Sequence, residues 1–271
     1  LFSILDFILL TVNFLLDLLI FYNLPHLDTP IYKKLLQKMR KEVKMNIYCF
    51  PYAGGSSFIY SELRKKASDK YRIVPMEYPG HGLRMGEELS DSIEYIVDDM
   101  FRQIQKKDDG SPFALLGYSM GSKLVYLLYS KYKEHTMFRR LKNIFFCAMS
   151  MESQNDKEDY AHISNEKLKE YTLSLGGTKL EDEEDEENFK AFLPIIRNDF
   201  VLLQHADEYI EKTNRSEIDV DVCVMYSADE ENVHSYSSYC TDVPEYEFFE
   251  GGHFFIHSYC DRINECISKH I

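Results

Sequence analysis

The 271-residue sequence is short of positive charge: 31 lysines and arginines stand against 45 aspartates and glutamates, a formal net charge of −14. Nucleic-acid binding needs a basic surface to neutralise phosphates, so this balance argues against nucleic acid as a partner. The six cysteines, Cys49, Cys147, Cys223, Cys240, Cys260 and Cys266, include no Cys-x-x-Cys pair. That absence removes the common zinc and dithiol patterns, and no metal site is expected. Cys49, Cys147 and Cys223 fall inside apolar strand-like runs, where cysteine behaves as a small hydrophobe. A reducing, cytoplasmic setting follows as the expectation. No internal repeat is present.

Long hydrophobic runs are also scarce, with one exception at residues 1–24. Its length suits a membrane span, but Asp6 and Asp17 would each cost about 2.5–3.5 kcal/mol at a helix centre. Ser3, Asp6, Asn13 and Asp17 share one face at helical periodicity, which also fits an amphipathic helix. No basic segment precedes the run, which argues against a secretory signal. A dispensable leader, a membrane anchor and a docking helix or upstream-domain tail are the readings open to it. Pro25, Pro30 and the basic residues between Lys33 and Lys44 read as a linker with a short basic helix, most simply a solvated face. Residues 1–45 are therefore expected to form a leader and linker, and 46–271 the domain.

From residue 46 the pattern turns regular. Strands are expected at 46–50, 72–76, 113–117, 142–148, 220–226 and 246–249. Helices are expected at 57–68, at 90–106 with Ser90 or Asp91 as cap, from about 120, and at 257–268. Strands alternating with helices at this spacing imply a mostly parallel sheet covered on both faces. Residues 151–215 interrupt the alternation with helical sequence and an acidic run at 181–187. Such an insert is a candidate lid, and the acidic run reads as a solvated, mobile stretch.

The chain is organised around Phe113-Ala114-Leu115-Leu116-Gly117-Tyr118-Ser119-Met120-Gly121. An apolar strand runs into Gly-x-Ser-x-Gly and on into a helical pattern, the arrangement of a nucleophile elbow. Glycines leave room for the sharp turn, and Ser119 is held at its tip near the positive end of the next helix. In an open parallel sheet, ligands sit beyond the C-terminal strand ends. His253 follows one such strand, and Asp229, Glu230 and Glu231 follow another. The order nucleophile, acid, histidine is that of α/β-hydrolases. A serine hydroxyl needs a base to take its proton, an imidazole can do so near neutrality, and a carboxylate fixes the imidazole tautomer. The developing oxyanion needs preset donors. The Met120 amide is one candidate, and the Tyr52 or Ala53 amide the other. His81, in a second glycine-punctuated turn, reads as structural or pocket-lining.

Five blocks in this order resemble the type II thioesterases that accompany nonribosomal peptide and polyketide synthases. They are Phe50-Pro51-Tyr52-Ala53-Gly54-Gly55-Ser56, Tyr78-Pro79-Gly80-His81-Gly82-Leu83-Arg84, the elbow block from Pro112 to Gly121, Leu193-Pro194-Ile195-Ile196-Arg197-Asn198-Asp199-Phe200, and Gly251-Gly252-His253-Phe254-Phe255. The family usually carries Arg where His81 stands and often His at the Tyr118 position. It has a glycine after the acid strand and its aspartate three positions later. Here Ala228 takes the glycine's place, so the resemblance points to Glu231 as the acid, with Asp229 as fallback. Ala148-Met149-Ser150-Met151 departs from the family's Gly/Arg character at the pocket entrance.

The resemblance implies an α/β-hydrolase fold with a helical lid. It implies hydrolysis of acyl groups from the phosphopantetheine arm of an acyl or peptidyl carrier protein, with no metal or bound cofactor. Carrier domains of a synthase would be the partners. The competing readings are an acyl-CoA thioesterase or general esterase, an acyltransferase, and a non-catalytic hydrolase-like binding protein. The last is favoured if neither Asp229 nor Glu231 can approach His253.

Overall fold

The computed structural model describes residues 44–152, 158–177, 180–213 and 215–271. The chain divides into two units, Leu1–Val43 and Lys44–Ile271. The first lies outside the described residues, and with it the expected apolar leader and most of the basic linker.

Six strands form one sheet: β1 (Met45–Phe50), β2 (Tyr71–Pro75), β3 (Phe113–Tyr118), β4 (Leu141–Cys147), β5 (Asp221–Tyr226) and β6 (Glu245–Phe248). Their spatial order is β2-β1-β3-β4-β5-β6, and every neighbouring pair is parallel. This is the mostly parallel, helix-flanked sheet of an α/β-hydrolase. Every residue of β3 is buried, because a central parallel strand is covered on both faces and its sequence is apolar throughout.

Alternate side chains of each strand feed opposite cores, as the two-residue strand period requires. Tyr48, Phe50 and Leu115 enter one core with helices α2 (Ile93–Lys107) and α3 (Met120–Tyr132). Ile47, Cys49, Ala114 and Leu116 enter the other with α1 (Ser61–Lys65) and the last helix, α6 (Cys260–Lys269). The stretch expected as one helix over 57–68 is a 3-10 turn, Ser57–Tyr60, followed by the short α1. The α2 cap is Ser92, whose hydroxyl accepts from the Tyr95 amide. Ser90 and Asp91 lie further upstream.

Between β4 and β5 lie α4 (Asn165–Ser174) and the 30-residue α5 (Glu183–Lys212). Tyr160, Leu168, Phe189, Leu193, Ile196 and Phe200 bury one another in a separate small cluster. The insert thus has a core of its own, while Leu202, Ala206 and Ile210 of α5 join the main core. The acidic run at 181–187 is largely exposed, as a solvated stretch is, and it opens a helix. Asp182 caps α5 by accepting from the Asp185 amide, and Glu183, Glu184, Asp185 and Glu186 fill its first turn. Carboxylates there face the positive end of the helix, each contributing about 0.3–1 kcal/mol.

Two glycines fix how closely β3, α3 and β1 approach. A Cβ on Gly117 would strike the backbone of Gly121 and Ser122, and one on Gly121 would strike the Phe50 and Pro51 carbonyls. Backbone cannot yield as a flexible side chain can. Gly121→Ala is therefore expected to destabilise the domain by about 1–3 kcal/mol, the usual range for overpacking. A chemical-denaturation midpoint unchanged from the parent would refute that packing.

Candidate active site

Ser119 sits between β3 and α3 with φ 52° and ψ −121°, a region that side-chain-bearing residues rarely occupy and that costs about 1–3 kcal/mol. Neighbouring hydrogen bonds hold it there. The Ser119 amide donates to the Cys147 carbonyl at 2.7 Å. The buried Ser122 hydroxyl donates to the Gly117 carbonyl at 2.8 Å and accepts from the Cys147 amide at 3.1 Å. The elbow is thereby tied to the end of β4.

The Ser119 hydroxyl lies 3.0 Å from His253 Nε2, and His253 Nδ1 lies 2.8 Å from Glu230 Oε1. His253 comes from the loop after β6, where Gly251 and Gly252 both have positive φ. A Cβ on Gly252 would come within 2.7 Å of Asp229 Oδ2. The Tyr118 hydroxyl secures that loop, donating to the His253 carbonyl at 2.6 Å and accepting from the Ile256 amide at 3.2 Å. The sequence offered no reason to place Tyr118 behind the histidine.

The carboxylate on the imidazole is Glu230. Glu231, selected by the resemblance, is exposed and makes no contact with the ring. Asp229, the fallback, uses Oδ2 to accept from the His253 backbone amide at 2.8 Å. It positions the loop and leaves the ring to its neighbour. The cause is the turn after β5. Glu230 Oε2 accepts from both the Ser227 amide (2.6 Å) and hydroxyl (2.8 Å), folding Glu230 back toward the strand end. A glutamate carries one more methylene than the family's aspartate, so a residue one position nearer the strand covers the same distance. Burial raises the Glu230 carboxyl, but hydrogen bonds from His253 and Ser227 outweigh it and hold it below the usual range.

Met120, the expected first oxyanion donor, is the first residue of α3. First-turn amides have no acceptor within their own helix, so its N–H is available to a ligand. Tyr52 and Ala53 lie in the loop after β1, the strand beside β3. The next amide, Gly54, donates to Asp199 Oδ2 at 2.7 Å. The Tyr52 ring meets Tyr118 and Phe254 edge-on, burial pushes its hydroxyl up to about 12, and it shares a 3.1 Å hydrogen bond with His257. His81 is buried against Asp199 and does not line the cavity described next.

A cavity of about 440 Å³ opens at Ser119, Glu230 and His253. Tyr160, Tyr171, Leu175, Phe200 and Leu203 of the insert supply its apolar wall, and Ala148 and Met149 stand beside them. The first two residues of the Ala148–Met151 stretch thus fall on the cavity lining. One turn along α3 from Ser119, the buried Lys123 ammonium is paired with Asp207 of α5, giving the cavity a polar floor. A serine hydroxyl, an imidazole and a carboxylate are thus brought together at a cavity, an arrangement able to perform acyl transfer through an activated serine.

The Thioesterase domain family matches residues 45–271, and the chain belongs to that family. It is a hydrolase acting on thioester bonds. Among curated proteins it is similar to the medium-chain S-acyl fatty acid synthase thioesterase of Homo sapiens, 25% identical, covering 84% of this chain and 86% of that one. Among solved structures it is similar to ClbQ from the colibactin NRPS/PKS pathway, with TM-score 0.74, 21% identity and coverage of 83% and 96%. It is also similar to the type II thioesterase BorB from the borrelidin biosynthetic cluster, with TM-score 0.70, 23% identity and coverage of 84% and 93%.

The geometry ranks the three acids. With a short acyl thioester as substrate, Glu230→Gln is expected to lower kcat by about 10⁴, the loss seen when a triad acid becomes an amide. Glu231→Gln is expected to leave it within a factor of two. A larger loss in Glu231→Gln than in Glu230→Gln would overturn the assignment.

Proposed function

We propose that this thioesterase works as a serine hydrolase that removes acyl groups from the phosphopantetheine arm of carrier proteins through an acyl-enzyme. The observation that carries the reading is the continuous relay Glu230–His253–Ser119 opening onto an acyl-sized cavity. In the first half-reaction Ser119 Oγ attacks the thioester carbonyl while its proton passes to His253 Nε2. The Met120 amide and the Tyr52 or Ala53 amide take the charge growing on the carbonyl oxygen. The carbon–sulfur bond then breaks, and the thiol leaves with the proton held by His253. In the second half a water attacks the acyl-enzyme by the same route, releasing the acid and restoring Ser119. No metal or bound cofactor is called for, since phosphopantetheine arrives as part of the substrate.

The non-catalytic reading is favoured if neither Asp229 nor Glu231 can approach His253, and Asp229 does approach it, at the backbone amide. Neither contacts the ring, yet the relay is complete because Glu230 supplies the acid. The carrier-protein substrate is favoured over acyl-CoA by the NRPS/PKS setting of ClbQ. A biosynthetic enzyme of that kind fits a cytoplasmic setting.

Two measurements test the proposal. Ser119→Ala is expected to fold normally and to lose at least about 10³ in kcat, in line with removal of a triad nucleophile; retained turnover would end the serine mechanism. With the parent enzyme, an acyl-carrier protein is expected to exceed the matching acyl-CoA in kcat/KM by about tenfold, or about 1.4 kcal/mol of extra transition-state binding. Equal values would favour a general acyl-thioesterase. The pH dependence follows from Glu230: because its folded pKa is lowered, its contribution to stability is present above the ordinary glutamate value of about 4.3 and is lost as pH falls through the lower folded value.

A further inference from the structure

The reacting groups leave unused an ionisable pair in which both partners are almost fully buried: His81 and Asp199, with side chains 3% and 1% exposed. Asp199 belongs to α5, in the lid insert. His81 lies in the turn after β2. A single oxygen, Asp199 Oδ2, accepts from the Gly54 amide at 2.7 Å and faces His81 Nε2 at 2.9 Å. His81 Nδ1 lies 2.8 Å from the Pro79 carbonyl.

Donor and acceptor chemistry constrains where the protons sit. A carbonyl oxygen only accepts, so Nδ1 carries a proton. An ionised carboxylate also only accepts, so Nε2 must carry one too. A neutral ring protonated on Nδ1 would set the Nε2 lone pair against an ionised carboxylate. With Asp199 ionised, the ring is an imidazolium and the contact an ion pair. The same carboxylate anchors Gly54, which directly follows Tyr52 and Ala53, the candidate second donors to the oxyanion. Ile196, one turn before Asp199 on α5, packs against Gly54 within 2.9 Å of where a Cβ would stand. Gly54 itself has φ +73°.

We propose that Asp199 is a positioning residue that sets the oxyanion loop through the Gly54 amide, and that protonated His81 keeps Asp199 in place, so that the loop is released when His81 loses its proton. Glu77, in the same turn as His81, is the other carboxylate acting on the ring, and the Tyr78 ring meets it edge-on. The Tyr78 hydroxyl is held neutral by burial. Burial alone would lower the His81 pKa, but hydrogen bonding and charge from Asp199, with Glu77 adding, raise it. A raised histidine pKa means that the stabilisation is complete below the ordinary value of about 6.5 and is lost as pH climbs through the higher folded value.

The test has two arms, of which only the second rests on the thioesterase mechanism above. In the first, ring ¹⁵N resonances of the whole protein are followed with pH, with His81 assigned by the signal lost in His81→Gln. Both His81 nitrogens are expected to stay protonated at a pH where exposed histidines have become neutral. The Gly54 amide should begin to exchange faster as they deprotonate. A His81 ring that is neutral at pH 7, or a Gly54 amide indifferent to its titration, would overturn the latch.

In the second arm, the alkaline limb of kcat is compared in the parent, Asp199→Asn and His81→Arg. Removing an opposite charge at this range is expected to move the limb about 1–3 pH units downward in Asp199→Asn, with kcat lower and KM within twofold. His81→Arg should abolish the limb. A limb unmoved in Asp199→Asn would mean that the pair does not control the loop. If Ser119→Ala remained active while His81 titrated as expected, the serine mechanism would fail and the latch would stand.

Discussion

The backbone of Ser119 sits at φ 52°, a conformation the chain adopts only because its surroundings permit no other. Gly117 and Gly121 let β3, α3 and the end of β1 approach until no side chain fits between them. The amide of Ser119 and the hydroxyl of Ser122 then bind the turn to Cys147 at the end of β4. Remaining features of the site take their positions from this point. His253 is brought to the Ser119 hydroxyl, the Met120 amide begins α3 beside it, and the β1 loop passes alongside because Gly121 lies against the Phe50 and Pro51 carbonyls. Packing of this kind stores strain at one residue and spreads its cost over a sheet that is buried on both faces.

Three buried carboxylates organise the loops around that point, and each is satisfied by several donors, as a buried charge requires. Glu230 bridges Ser227 and His253. Asp199 bridges Gly54 and His81. Glu77 accepts from the Ser57 amide at 2.9 Å, the Ser57 hydroxyl at 2.6 Å and the Leu83 amide at 3.3 Å, joining the β1 loop to the turn after β2. Loops have little apolar surface with which to fix themselves. A carboxylate with two or more donors supplies direction, since each hydrogen bond constrains a different segment. The site is therefore held by charge-assisted hydrogen bonds on a scaffold held by apolar burial.

Helix α5 links the insert to the scaffold. Its first turn is acidic and capped, its middle packs into the insert's own cluster, and its last third enters the main core. Asp199 and Ile196 touch the β1 loop from its middle, and Asp207 pairs with Lys123 below Ser119. One element thus covers the acyl cavity, contributes to its floor and touches the loop expected to bind the oxyanion.

Much of this was legible in the chain. Strand positions followed from apolar runs of strand length, the elbow from Gly117, Ser119 and Gly121, and the histidine from the glycines before it, because those patterns are local consequences of backbone sterics and burial. Other features were not, for physical reasons. The acidic run read only as a solvated stretch, because composition says nothing of a helix macrodipole that exists only once α5 has formed. The choice among Asp229, Glu230 and Glu231 turned on the hydroxyl and amide of Ser227 folding one side chain inward and leaving its neighbours outside. The pairing of His81 with Asp199 joins residues 118 positions apart. Sequence alone decided the sheet and singled out Ser119 and His253 as candidate nucleophile and base, since each is written in a contiguous pattern. Which acid completes the relay and which carboxylate grips the β1 loop were decided only by the folded chain, where reach and burial select among residues that look alike in one dimension.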